Sequence, residues 1–160
     1  MKKDIPDLEF SHKYDAEHAQ QYFAKHRTGI RRRLSTWRES ALARSLLRAA
    51  GEPESVLDIP CGAGRFWELL AERPGRKLYA ADYSQDMIDV ALSRRPRDSA
   101  RRFETFQCSA FQIPRPDDFV RHVFSMRLMH HIADKKDRLA LLREFARVAS
   151  DTVCVSLWVD

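Results

Sequence analysis

Two acids, Asp58 and Asp82, each close a short apolar run, and Gly62 and Gly64 follow the first of them in "VLDIPCGAGRF" (residues 56–66). A strand that ends in a G-x-G turn before a helix-like segment lets a ligand come close to the backbone, because glycine has no Cβ. The spacing alone also fits a turn that needs glycine only for its geometry. Asp58 lies on the strand itself and puts negative charge where a pyrophosphate would approach, which suits a cationic ligand better. Asp82 ends "KLYAAD", where an acid is placed to accept hydrogen bonds from both hydroxyls of a ribose. A nicotinamide dinucleotide site calls for a third glycine at position 67. Trp67 stands there, and its bulk is expected to obstruct the close helix–strand packing which that glycine permits.

Two further residue types bear on chemistry. His130 and His131 follow a fourth apolar run, and an imidazole there can act as a base because its pKa lies near neutrality. The plainer reading is that one packs and the other faces solvent. Cys61 is expected at a helix amino terminus, which favours thiolate. It has no evident base partner and is read as part of the turn, not as a nucleophile.

These residues need elements to hold them. Apolar residues at steps of three and four (Leu34, Trp37, Ala41, Leu42, Leu46, Ala49) predict a helix over 32–50, stopped by Gly51. A shorter helix is expected over 15–26, with Asp15 as its cap. Beyond it, strands are expected at 55–59, 77–82, 102–108, 119–126 and 152–159. Helices are expected at 64–73, at 84–95 with Ser84 as cap and Asp86 in the first turn, and at 134–149 with Leu139, Leu142, Phe145 and Ala146 on one face. The proline-rich stretch 111–118 is expected to carry little helix. Strands separated by helices predict right-handed βαβ units and an α/β, doubly wound, mainly parallel sheet covered on both faces. Such sheets bind ligands outside the carboxyl ends of their strands.

The bulk numbers agree. The 160 residues are enough for one domain and too few for two. No apolar run approaches the roughly 20 residues of a membrane span, and the first residues do not read as a signal peptide. Cys61, Cys108 and Cys154 are isolated and odd in number, which argues for a reducing, cytoplasmic setting and against a disulfide framework or a metal site. The net charge is +5, with arginines clustered at 31–38 and 93–102. Without a nucleic-acid motif, those clusters are read as solvated faces.

"VLDIPCGAG", "AADYSQDMIDVA", "SAFQIP" and "VFSMRLMHHI" together resemble, in order and spacing, the successive motifs of class I S-adenosylmethionine-dependent methyltransferases. The first is similar to the L-D-x-P-C-G-x-G variant, with Pro60 in place of an earlier glycine. The resemblance covers residues 38–158. It implies a Rossmann-like fold, S-adenosyl-L-methionine as cofactor and S-adenosyl-L-homocysteine as product. By position it implies that Asp58 and the backbone of Pro60, Cys61, Gly62 and Gly64 hold the methionine end. Asp82 would take the ribose hydroxyls, Tyr83 and Met87 would pack on the adenine, with ordinary helix–sheet packing as the alternative, and Ser109 and Ala110 would meet its edge. Ser109 departs from the family's usual Asp and supplies a weaker acceptor. Arg38 matches a position where relatives carry Arg-Glu and is expected to pair with the cofactor carboxylate, with a surface arginine as the alternative.

The resemblance also implies two more strands and two more helices than the chain carries, so the sheet is expected to be shortened to five strands. One domain over 1–160 is expected, with amino-terminal helices over 1–50 and a cofactor-binding core over 51–160. Tyr14, Tyr22 and Phe23 are candidates for a lid and equally for ordinary helix packing. The implied reaction is in-line methyl transfer to a small-molecule acceptor, with His130 or His131 as a base if one is needed. The alternatives are an inactive or shortened cofactor-binding module that needs a partner chain, and a nicotinamide oxidoreductase. An uncovered fifth strand would invite a homodimer through its edge.

Overall fold

The computed structural model describes residues 30–157, with side chains from Trp37 onward. The expected helix over 15–26, the lid aromatics and the end of the expected fifth strand lie outside the described residues. In chain order the elements are α1 (Ile30–Ala49), β1 (Ser55–Asp58), α2 (Trp67–Leu70), β2 (Lys77–Asp82), α3 (Gln85–Arg94), α4 (Arg97–Ala100), β3 (Phe103–Gln107), β4 (Val120–Ser125), a 3-10 turn (Met129–His131), α5 (Lys135–Val148) and β5 (Ala149–Val155).

The five strands form one sheet in the order β3-β2-β1-β4-β5, and every pair is parallel. Strand order reverses between β1 and β4, so the crevice for a ligand opens at their carboxyl ends. Side chains alternate between two apolar clusters. Val56, Ala80 and Phe124 join the cluster packed under α1 to α4, whereas Leu57, Ala81 and Val123 join the one packed under α5. That division explains why the central strands read as unbroken apolar runs: both faces are buried. Among the described residues β5 pairs only with β4.

Several local expectations need correction. The helix expected over 64–73 shrinks to four residues. Gly64 sits at φ +67°, outside helical space, and Pro74 and Gly75 end the segment. Because the helix begins at Trp67, Cys61 lies in the preceding turn and not at a helix amino terminus. Trp67 does not obstruct packing. It is fully buried and stacks on Phe103, with ring centroids 4.4 Å apart. Gly64 makes the room, since a Cβ there would stand 2.9 Å from Trp67 Cδ2. The one-turn helix α4 was not expected from its arginine-rich sequence. β5 starts at Ala149, directly after α5.

The apolar faces of α1 and α5 also differ from expectation. Trp37, Leu42 and Leu46 are exposed, while Ala43 and Leu47 are buried. The inward stripe of α1 therefore runs Glu39–Ala43–Leu47, at steps of four, with small Ala43 bringing the helix close to the sheet. On α5, Leu139 and Leu142 are exposed, and the inward stripe is Leu141, Glu144, Phe145 and Val148. A glutamate sits on each buried stripe, which hides both from a reading of apolar periodicity.

Candidate functional site

The turn after β1 is pinned across the end of β2. The Cys61 N–H donates to Ala81 O (2.9 Å) and the Gly62 N–H to Asp82 Oδ2 (2.8 Å). Asp82 Oδ1 accepts from the Ser84 N–H at 3.0 Å. The Asp82 carboxylate is thus oriented by a backbone donor at each oxygen. Ser84 caps α3 by accepting from the Met87 N–H, as expected for that residue type. Met87 is buried beside Gly62: a Cβ on Gly62 would lie 3.5 Å from its Cε. Tyr83 is about half exposed at the same edge.

Asp58 is 2% exposed, and its carboxyl is pushed well above the usual carboxylate range, first by burial and then by the charge of Asp82. The Trp67 indole N–H opposes this weakly without forming a sound hydrogen bond. Among the described residues, Asp58 Oδ2 and Trp67 Nε1 are both buried without a hydrogen-bond partner. Burial raises Asp82 as well, while backbone N–H groups of Ser84, Gly62 and Tyr83 hold it down. Two buried acids face one glycine turn, and the pair favours a ligand that brings positive charge and hydrogen-bond donors. The Cys61 thiol is buried and raised by burial and by both acids, so it stays neutral.

The loop after β3 closes the next side. Cys108 N–H donates to Asp82 O, and Gln107 Nε2 to Tyr83 O. The Ser109 hydroxyl accepts from the Phe111 N–H at 3.2 Å, so it serves its own turn; Ala110 follows it. This loop is clamped from below by α5. Buried Glu144 accepts from the Ile113 N–H at 2.8 Å and pairs with Arg147 at 2.7 Å. Arg147 in turn donates to the carbonyls of Ile113 and Arg115 and to Asp117.

At the carboxyl end of β4, His130 and His131 are exposed on the 3-10 turn, with ring centroids 4.0 Å apart. Burial and the charge of Arg127 lower both imidazoles, and His130 lowers His131 further. Arg38 is exposed. Its neighbour Glu39 turns inward instead and pairs with Arg65 and Arg127, each at 3.0 Å. Sequence reasoning missed Glu39, Arg127 and Glu144; the one signal for the two glutamates is their place in stripes repeating every three or four residues. Among the described residues no group of His, Cys, Asp or Glu is arranged to hold a metal ion, and no helix is long and apolar enough to cross a membrane.

Fold and site thus define a doubly wound α/β domain that presents a glycine turn and two acids at its switch point. Residues 56–151 match the methyltransferase domain family, and the chain belongs to it. The class is that of the S-adenosylmethionine-dependent methyltransferases, whose cofactor carries both a ribose and positive charge. Among curated relatives, demethylmenaquinone methyltransferase of Geobacillus stearothermophilus is 27% identical over 132 residues, 78% of this chain and 53% of that protein. The tRNA (carboxymethyluridine(34)-5-O)-methyltransferase ALKBH8 of Macaca fascicularis is 28% identical over 104 residues, 64% of this chain and 14% of that protein. The chain therefore spans about half or less of the length of these relatives. A solved protein of Methanococcus maripaludis shares the fold over 97% of this chain and 67% of its own, with a TM-score of 0.69 at 18% identity. A SAM-dependent methyltransferase from Aquifex aeolicus covers 86% of this chain and 68% of its own, with a TM-score of 0.59 at 24% identity.

Proposed function

We propose that this chain binds S-adenosylmethionine over the turn at 60–64 and transfers its methyl group to a small-molecule acceptor that enters beside His130 and His131. The observation that carries the reading is Asp58. A buried carboxylate oxygen without a hydrogen-bond partner, beside a second acid, is costly unless a cationic or hydrogen-bonding ligand meets it. The residues present suit the cofactor. Asp58 and the backbone of Pro60, Cys61, Gly62 and Gly64 would hold the methionine end, and Asp82 would accept from the ribose hydroxyls. Met87 and Tyr83 would wall the adenine, with Ser109 and Ala110 at its edge.

The bound cofactor supplies an activated methyl group, so the protein's part is to hold the acceptor in line and exclude water. An acceptor with a dissociable proton also needs a base, and the lowered imidazoles of His130 and His131 are neutral at pH 7 and able to take one. The relatives are named for acceptors as different as a tRNA uridine and demethylmenaquinone, so family membership leaves the acceptor open.

Calorimetric titration tests the reading. Saturable heat with S-adenosylmethionine and with S-adenosylhomocysteine is expected, weakened at least about tenfold in Asp82→Ala. Absence of heat at millimolar ligand would sink it, as would stabilisation by a nicotinamide dinucleotide alone.

A further inference from the structure

The opposite end of the strands, where β2 begins, carries a second concave site. Arg44, Leu47 and Arg48 of α1, Glu52, Leu69 of α2, Glu72, Arg73 and Arg76 line a cleft of about 280 Å³. Arg76 directly precedes β2 and Asp82 ends it, so the six residues of the strand separate this cleft from the candidate cofactor site by roughly 17–20 Å at about 3.3 Å per residue. No small ligand can occupy both.

The charges in the cleft do not balance. Four guanidinium groups face two carboxylates. Arg44 is paired with Glu72, Nη2 to Oε1 at 2.6 Å, and Arg76 with Glu52 at 2.5 Å. Arg76 is 5% exposed, and each of its three guanidinium nitrogens donates, to Pro53 O, Leu70 O and Glu52. It fixes the floor and contributes charge. Arg48 and Arg73 have no acidic partner among the described residues. Arg102 adds further positive charge from the side, its own fork held by the carbonyls of Ala71, Arg73 and Arg76. Burial lowers the Arg76 guanidinium first, Glu52 opposes that, and the charges of Arg73 and Arg102 add to the lowering. A buried arginine bonded through all three nitrogens, beside two arginines without an acidic partner among the described residues, is a platform for an anion, and guanidinium groups match phosphate oxygens in bidentate geometry.

We propose that this cleft is a phosphate-binding site, with Arg48 and Arg73 as the direct ligands and Arg76 as the buried floor. The phosphate comes either from a small phosphorylated molecule or from a nucleic-acid backbone. The proposal does not depend on the function proposed for the other end of the strands.

The test is titration of the whole chain with pyrophosphate and with a short single-stranded RNA at low and moderate salt, alongside S-adenosylhomocysteine as a readout of the other end. Arg48→Gln/Arg73→Gln is compared with Arg138→Gln/Arg143→Gln, which removes the same charge from exposed positions on α5. Saturable pyrophosphate binding is expected, weakened at least about tenfold in the cleft pair and unchanged in the α5 pair, with S-adenosylhomocysteine binding the same in all three proteins. RNA that binds, is displaced by pyrophosphate and loses salt dependence in the cleft pair identifies a nucleic-acid source. Pyrophosphate binding without RNA binding identifies a small phosphorylated ligand. Absence of saturable pyrophosphate binding overturns the proposal, and so does equal loss in the two variant pairs, which would reduce the effect to net charge.

Discussion

Gly62 and Gly64 are two residues apart in one turn, both at positive φ, yet substituting them should injure different properties. Alanine at Gly64 meets Trp67 Cδ2 at 2.9 Å, Ala91 Cβ at 3.1 Å and Arg95 Cγ at 3.2 Å, with φ at +67°. The left-handed backbone costs an L-residue about 1–2 kcal/mol. Crowding of buried Trp67 and Ala91 adds about 1–3 kcal/mol. Gly64→Ala should therefore lose roughly 2–5 kcal/mol. Alanine at Gly62 has the same backbone cost at φ +51° but touches only Met87 Cε, at an ordinary 3.5 Å. It should lose only about 1–2 kcal/mol. Its methyl group, however, stands against Met87, on the residue whose N–H holds the Asp82 carboxylate, where the proposed ligand would fit. Urea unfolding and titration with S-adenosylhomocysteine separate the two effects. Gly62→Ala should stay folded and bind at least about tenfold more weakly, a loss of about 1.4 kcal/mol. Gly64→Ala should show the larger drop in unfolding midpoint. A Gly64→Ala protein as stable as Gly62→Ala would refute the packing argument, and undiminished binding by Gly62→Ala would refute the placement of the ligand.

Three further outcomes follow from the buried charges. Asp58 is raised by burial and by Asp82, so it gains its proton earlier than a free carboxyl as pH falls. Affinity for S-adenosylmethionine and for S-adenosylhomocysteine, which carry the same ammonium group, should weaken together on acidification, and the dependence should shrink in Asp58→Asn; binding that ignores pH, or an unchanged profile in the variant, would contradict this. His122 is buried on β4, with Nδ1 2.7 Å from Thr152 Oγ1, and burial, then the charge of Arg76, outweigh Asp151 to lower it to about 4. The folded state then resists protonation that the unfolded chain accepts near pH 6.5, so stability is lost as pH falls from about 6.5 to 4, by about 3 kcal/mol. Urea unfolding of wild type against His122→Gln should show that difference growing over this window, and parallel curves would exclude it. Glu144→Ala strips the Ile113 N–H and the Arg147 guanidinium of a buried partner and should cost about 3 kcal/mol. It should also weaken S-adenosylhomocysteine binding, because the same loop carries Ser109 and Ala110; a stable, fully binding variant would deny the clamp.

What the sequence made legible follows from how far each interaction reaches. The strands were readable because both faces of β1, β2 and β4 are buried, so apolar runs mark them without regard to partners. The acids were readable because strand ends and glycine turns are local signals, and in a parallel sheet the ends of β1 and β2 must lie side by side. The helix faces were not. α1 offers apolar residues on two sides, and the choice between them rests on Glu39 reaching Arg127, 88 positions away. α5 hides Glu144 in its apolar stripe because the donor it serves, Ile113, lies 31 positions earlier. A buried polar residue reads as a solvent-facing one until its partner is known, and that partner is fixed only by the tertiary fold.

The same limit explains why the candidate cofactor turn was read in more detail than the candidate acceptor turn. Asp58, Gly62 and Asp82 would act through backbone position and their own charge. His130 and His131 do not: burial lowers both imidazoles first, and part of the rest comes from Arg127, which holds φ +65°, a conformation unfavourable for a non-glycine residue. It persists there because the Arg127 N–H donates to Ser156 Oγ at 2.7 Å and its guanidinium reaches Glu39 at 3.0 Å. The residue after β5 and a glutamate of α1 thus fix a charge that adds to the lowering of the two imidazoles. The turn that would face an acceptor is tuned by elements from both ends of the described chain, whereas the turn that would face the cofactor is built almost wholly from residues 58–87.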